Sequence, residues 1–100
     1  MNTVFLVFHN GIIGHLIVTK ECAYFIADFL EDWSPGPIEA SEEHIIFRID
    51  DITRVTQKAK DENRSLIDVH LANEKRIHHF DCEKNDEKDL VQVLRTKLTQ

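Results

Sequence analysis

The chain has 100 residues, of which 42% are hydrophobic and 30% charged, and its formal net charge is −6 at pH 7. A chain of this length forms one domain, residues 1–100, with a single core and little room for a deep, pre-formed active site. Its acidic balance repels phosphate groups, which argues against nucleic acid as a partner.

Short apolar or alternating segments predict seven β-strands, at residues 3–9, 14–20, 22–30, 44–49, 52–57, 65–71 and 76–82. The first segment is a continuous run of β-branched and aromatic residues. We therefore expect it to lie in the core of the sheet rather than half exposed. The Asn10-Gly11 dipeptide predicts a tight turn after it. Residues 31–43, which include Ser-Pro-Gly-Pro, predict the one long loop.

One amphipathic helix is predicted at residues 85–98. Asn85 is a suitable N-cap, and Asp86 and Glu87 complement the positive end of the helix dipole. An apolar stripe at helical spacing consists of Leu90, Val91, Val93, Leu94 and Leu98. The predicted fold is mostly β with one C-terminal α-helix: a seven-stranded antiparallel, partly open barrel that the helix caps.

Four short motifs carry a family resemblance. They are residues 14–19 (GHLIVT), residues 23–25 (AYF), residues 46–55 (IFRIDDITRV) and the pair at 79–80 (HF). With this order of elements, the chain resembles a GRAM domain of the pleckstrin-homology-like (PH-like) superfamily. The resemblance implies a non-catalytic module that binds lipid head groups or protein segments.

One feature departs from that family pattern. PH domains that hold phosphoinositides usually carry basic residues around the loop between the first two strands. Here the loop is residues 10–13, and only His9 and His15 lie beside it in the sequence. Histidines pair a phosphate only when they are protonated, so we expect no inositol-phosphate site at this loop.

A basic stretch around the predicted fifth and sixth strands is the candidate for an anionic ligand. Two acidic residues interrupt it, at positions 61 and 62, and the alternative is an ordinary solvated hairpin. The candidate residues are Arg54, Lys58, Lys60 and Arg64.

The start of the long loop is the candidate for binding a protein. Apolar side chains among acids suit a basic, partly hydrophobic partner, because charge steers the encounter and aromatic groups hold it. The residues are Phe29, Leu30, Glu31, Asp32 and Trp33. The alternative is that the apolar members complete the core and cap the barrel. A second candidate is the groove between the helix and strand 52–57, with edge contacts of the kind that Leu66 offers.

No metal, cofactor or catalytic site is predicted. Cys82 can converge with His78 on one strand face but His79 cannot, and a further ligand would have to be His70 from across the hairpin. The sequence has no glycine-rich phosphate loop and no evident pairing of a nucleophile with a base. We expect Cys22 and Cys82 to be buried free thiols of an intracellular protein.

These patterns predict a binding module of the cytoplasm or nucleus. The first residues do not resemble a signal peptide, and no run of about 20 apolar residues could span a bilayer. Protein–protein interaction is the favoured function. The alternative is peripheral membrane binding, in which anionic lipids such as phosphoinositides contact the bases of the second half.

Overall fold

The computed structural model describes residues 3–28 and 42–96. Seven strands and one helix make up this part of the chain. The strands are β1 (Thr3–His9), β2 (Ile12–Val18), β3 (Cys22–Ala27), β4 (Ile45–Arg48), β5 (Ile52–Ala59), β6 (Arg64–Leu71) and β7 (His78–Glu83), and the helix is α1 (Lys84–Leu94).

All seven strands belong to one antiparallel sheet in the order β4-β3-β2-β1-β7-β6-β5. The pairing of β1 with β7 joins the first meander to the last, while β4 and β5 remain the two edges. A short 3-10 turn, Ile49–Asp51, connects those edges. The sheet curls into a half-barrel with α1 packed inside its curve, consistent with a PH-like barrel. The predicted fold class is confirmed.

Strict alternation of side chains creates the core. On β6, Ser65, Ile67, Val69 and Leu71 are buried, while the residues between them are only partly covered. Apolar residues of the other strands meet them, and α1 closes the curve with Leu90, Val91 and Leu94. Burying each such aliphatic side chain stabilises the fold by about 1.5–3 kcal/mol.

The helix begins one residue earlier than predicted and follows β7 without a loop. Glu83, not Asn85, stands at the N-cap, and its side chain makes no capping bond. Instead, Ser65 on β6 donates a hydrogen bond to Glu87 Oε2 at 2.9 Å, which ties the first turn of α1 to the sheet. At the other end, Arg95 Nη2 donates to the Val55 carbonyl on edge strand β5.

Strand boundaries differ from prediction where local contacts intervene. Strand β2 starts at Ile12 and ends before Thr19, whose hydroxyl accepts hydrogen bonds from the amides of Glu21 and Cys22. Gly14 lies inside β2, where a Cβ would stand 2.4 Å from the Ile26 carbonyl oxygen. A glycine at this position therefore lets β3 approach closely.

Strand β1 is more exposed than the sequence predicts. β1 is central in the sheet, but it is half exposed: Val4 is 54% exposed, Leu6 48% and Phe8 36%. Only its alternate residues, Phe5 and Val7, enter the core. A continuous apolar run was expected to indicate a strand covered on both faces, whereas here one face of the run has no cover within the described residues.

Candidate functional site

The outer surface of β1 and β2 carries a set of large exposed apolar side chains. We call it the outer apolar face, and its members are Val4, Leu6, Phe8 and Ile13. Phe8 stands directly across from Ile13, which is 39% exposed, so exposed apolar side chains of the two strands meet at this pair. Across from Leu6 stands His15, and across from Val4 stands the buried Ile17, so the rest of the face belongs to β1. Exposed apolar patches on a small domain often mark a site of contact.

A cleft of about 390 Å³ opens beside this face, where β1, β6 and β7 run together. Phe8 and Leu66 form its apolar floor, and both lie across from Asp81 in the sheet register. We call it the Arg64 cleft. Its lining residues are Phe8, Gly11, Lys60, Arg64, Leu66, His79 and Asp81.

Two cations share one carboxylate in the cleft. Lys60 Nζ lies 2.6 Å from Asp81 Oδ2, and Arg64 Nε lies 2.8 Å from Asp81 Oδ1. Arg64 also donates through Nη2 to the Asp81 carbonyl at 3.1 Å, and its guanidinium carbon lies 5.5 Å from the centre of the Phe8 ring. Burial raises the pKa of Asp81, but hydrogen bonds from Lys60 and Arg64 outweigh it, so the net pKa is lowered.

The structure brings together only half of the predicted anionic-ligand set. Arg54 and Lys58 lie on β5 across from His70 and Leu66, on the same outer face as Arg64. Lys60 and Arg64 alone line the cleft, and Asp81 already pairs with both.

A histidine pair occupies one end of the barrel. His9 Nε2 and His78 Nδ1 are 2.9 Å apart, and His78 Nε2 lies 3.2 Å from Glu74 Oε2. Because the carboxylate accepts from His78 Nε2, Nδ1 of a neutral His78 must accept from His9. Burial lowers the pKa of His9 to about 4, and electrostatic interactions with His78, Arg76 and His79 lower it further.

Aromatic rings surround that pair. The His9 ring centre lies 4.9 Å from that of Phe25 and 5.0 Å from that of Phe80, and Phe47 meets His78 at 5.0 Å. Apolar rings thus cover part of the pair, and this partial burial disfavours a charge on His9.

More positive charge lies beside the first hairpin than its own sequence indicates. The β6–β7 connection carries Lys75 and Arg76 to the Asn10-Gly11 turn, where a shallow cavity of about 600 Å³ opens between them. Both cations are exposed. Sequence neighbours cannot reveal this, because 65 positions separate Asn10 from Lys75; pairing of the first and last strands is the signal that places them together.

The remaining candidates do not converge on a site. His70 faces outward and His78 inward, so they cannot hold one ion together, and no metal-ligating group of three exists within the described residues. Burial, with Asp86 and Glu87, raises the pKa of Cys82 to about 11. A thiol with such a pKa is a poor nucleophile at neutral pH.

The structure describes only one of the two predicted protein-binding surfaces. Phe29, Leu30, Glu31, Asp32 and Trp33 lie outside the described residues. In the groove between α1 and β5, Arg95 at the end of the helix already donates a hydrogen bond to the Val55 carbonyl. Leu66 was expected to serve this groove, but it faces outward into the Arg64 cleft on the opposite side of the sheet.

Comparison of the chain with models of known families, with curated proteins and with solved structures found no match. Across residues 3–28 and 42–96, no helix has the length and apolar content needed to cross a membrane.

Proposed function

We propose that this chain is a non-catalytic module that binds another protein through its outer apolar face. The observation that supports this proposal is the exposure of Val4, Leu6, Phe8 and Ile13 on the two adjacent strands β1 and β2. These strands belong to the middle of the sheet, so the face is rigid and needs no rearrangement before it is used.

The surroundings of this face support a protein partner. An interface typically has an apolar centre with aromatic and arginine side chains, and a polar rim. Here Phe8 connects the apolar face to Arg64, and the cleft with Lys60 and Asp81 lies at the margin. The resemblance to GRAM and other PH-like domains agrees with a binding role, although a fold alone does not select the ligand.

Photo-crosslinking tests the assignment. Benzoylphenylalanine replaces Leu6 in one variant and Lys88, an exposed residue of α1, in the control. In extract of the source cells, position 6 is expected to give a discrete adduct that excess wild-type chain suppresses and a Leu6→Ser chain does not. The same adducts from both positions, or equal suppression by both competitors, would contradict the proposal.

A second candidate function is the binding of an anionic lipid head group. The observation that favours it is the exposure of Lys75 and Arg76 beside the Asn10-Gly11 turn. Vesicles that contain phosphatidylinositol phosphates test it. If this candidate is correct, the wild-type chain binds the vesicles and the double variant Lys75→Gln, Arg76→Gln does not. Binding that the double variant retains would exclude the site.

A further inference from the structure

We propose that the Arg64 cleft receives a partner segment that carries a bulky apolar side chain beside a carboxylate. This inference rests on the proposed protein-binding function and names the chemistry of the partner at one margin of the outer apolar face.

The apolar part of the segment is indicated by the floor of the cleft. Phe8 is 36% exposed and contributes both to the outer apolar face and to the cleft, so one bound segment can contact the two surfaces together. Leu66 lies on the far side of β7 from Phe8, with Asp81 between them in the sheet register. A side chain that covers Phe8 and Leu66 removes apolar surface from water on both strands.

The carboxylate is indicated by the unequal charges in the cleft. Lys60 and Arg64 together carry two positive charges, and Asp81 supplies one negative charge. Arg64 uses Nε and one hydrogen of Nη2 for Asp81, which leaves three of its five hydrogens without an acceptor among the described residues. The Lys60 ammonium makes one hydrogen bond among the described residues, and the side chain is 50% exposed.

Asp81 also holds the two cations in place. Its carboxylate is only 14% exposed and bonds to both, so a ligand meets donors that are already oriented. The carboxylate of Asp68, on the same strand as Arg64, lies 2.7 Å from His79 Nδ1.

A membrane is a weaker match for this cleft. One excess positive charge suits a single carboxylate better than a phosphomonoester of a phosphoinositide head group, which carries nearly two negative charges. The net charge of −6 repels an extended anionic bilayer more strongly than a segment with one carboxylate. A head group alone would also leave Val4, Leu6 and Ile13 unused.

The test begins with a random dodecapeptide library selected on the folded wild-type chain. Selected peptides are expected to share an aromatic or large aliphatic residue beside Glu or Asp. Their affinity is expected to fall at least fivefold for Arg64→Gln and for Lys60→Gln, and to stay unchanged for Lys58→Gln, an exposed charge outside the cleft lining. Lys60→Gln keeps the pairing of Arg64 with Asp81, so it remains informative if Arg64→Gln unfolds.

Exchanging the peptide's acid for its amide completes a double-mutant cycle. The exchange should weaken binding to the wild type and have little effect on binding to Arg64→Gln. Peptides without an acid preference whose binding depends on Leu6 would overturn this inference and leave the proposed function intact. Peptides whose binding depends on neither Leu6 nor Arg64 would overturn both the inference and the proposed function. Binding to phosphatidylserine vesicles that Arg64→Gln abolishes would assign the cleft to membranes and overturn the inference.

Discussion

Acidification should destabilise this fold through His9. In the folded protein the pKa of His9 is about 4, against 6.5 for an ordinary histidine. Between these two values the unfolded chain binds a proton at this position that the folded chain does not, so stability is lost as the pH falls from about 6.5 to about 4. Above pH 6.5 both states are neutral, and the contribution is complete.

The magnitude follows from the size of the shift. A difference of about 2.5 pKa units corresponds to roughly 3.4 kcal/mol at 1.36 kcal/mol per unit. Since the His9 ring is only half buried, solvent screening reduces this to about 2 kcal/mol. The groups that face His9 are His78, itself bonded to Glu74, together with Arg76 and His79.

Urea unfolding of the wild type and His9→Phe at pH 7.5 and 4.5 isolates this effect from the titration of carboxylates. Phenylalanine keeps the ring contacts with Phe25 and Phe80 but leaves the Nδ1 of His78 unpaired, so the variant should be about 1 kcal/mol less stable at pH 7.5. At pH 4.5 it should equal or exceed the wild type. A stability difference that stays constant between the two pH values would refute the reasoning. His70→Phe, on the outer face of β6, is the control and should show no such reversal.

Three further predictions concern the packing of the barrel. Gly14→Ala places a Cβ 2.4 Å from a backbone oxygen of β3 and should lower the free energy of urea unfolding by about 3 kcal/mol or more. At Gly11 the φ angle is near 91° and nothing lies within 4 Å of an added Cβ, so Gly11→Ala should cost about 1–2 kcal/mol. Equal losses from the two variants would contradict the described register. Ser65→Ala removes the bond from β6 to α1 and should lower stability by about 1–2 kcal/mol, and an unchanged midpoint would show that the bond does not tie α1 to the sheet. Cys22 and Cys82 are both buried and should react with Ellman's reagent only after denaturation; prompt reaction of the native chain would show that the core is open.

The sequence predicted the fold class well because local signals and the global topology agree. Alternation on residues 65–71 and the apolar stripe of the helix each required one buried face, and the structure supplies it. Boundaries were less accurate where tertiary contacts decide them. Asn85 has the chemistry of an N-cap, but β7 runs directly into α1 and places Glu83 there.

The candidate surfaces were harder to predict. The apolar run of β1 predicts a core strand, but its outward residues Val4, Leu6 and Phe8 are exposed. Hydrophobicity alone cannot distinguish burial against the protein from burial against a partner. The Arg64 cleft and the cations beside the first turn both depend on the pairing of β1 with β7, a contact across some 70 residues that no local pattern reveals.

Amide chemical-shift mapping of the wild-type chain with a selected peptide tests the central claim most directly. Protein binding through the outer apolar face predicts that the largest shifts cluster at Val4, Leu6, Phe8 and Ile13 and that Leu6→Ser abolishes them. Shifts confined to the Asn10-Gly11 end of the barrel or to α1, with these four amides unmoved, would contradict the account.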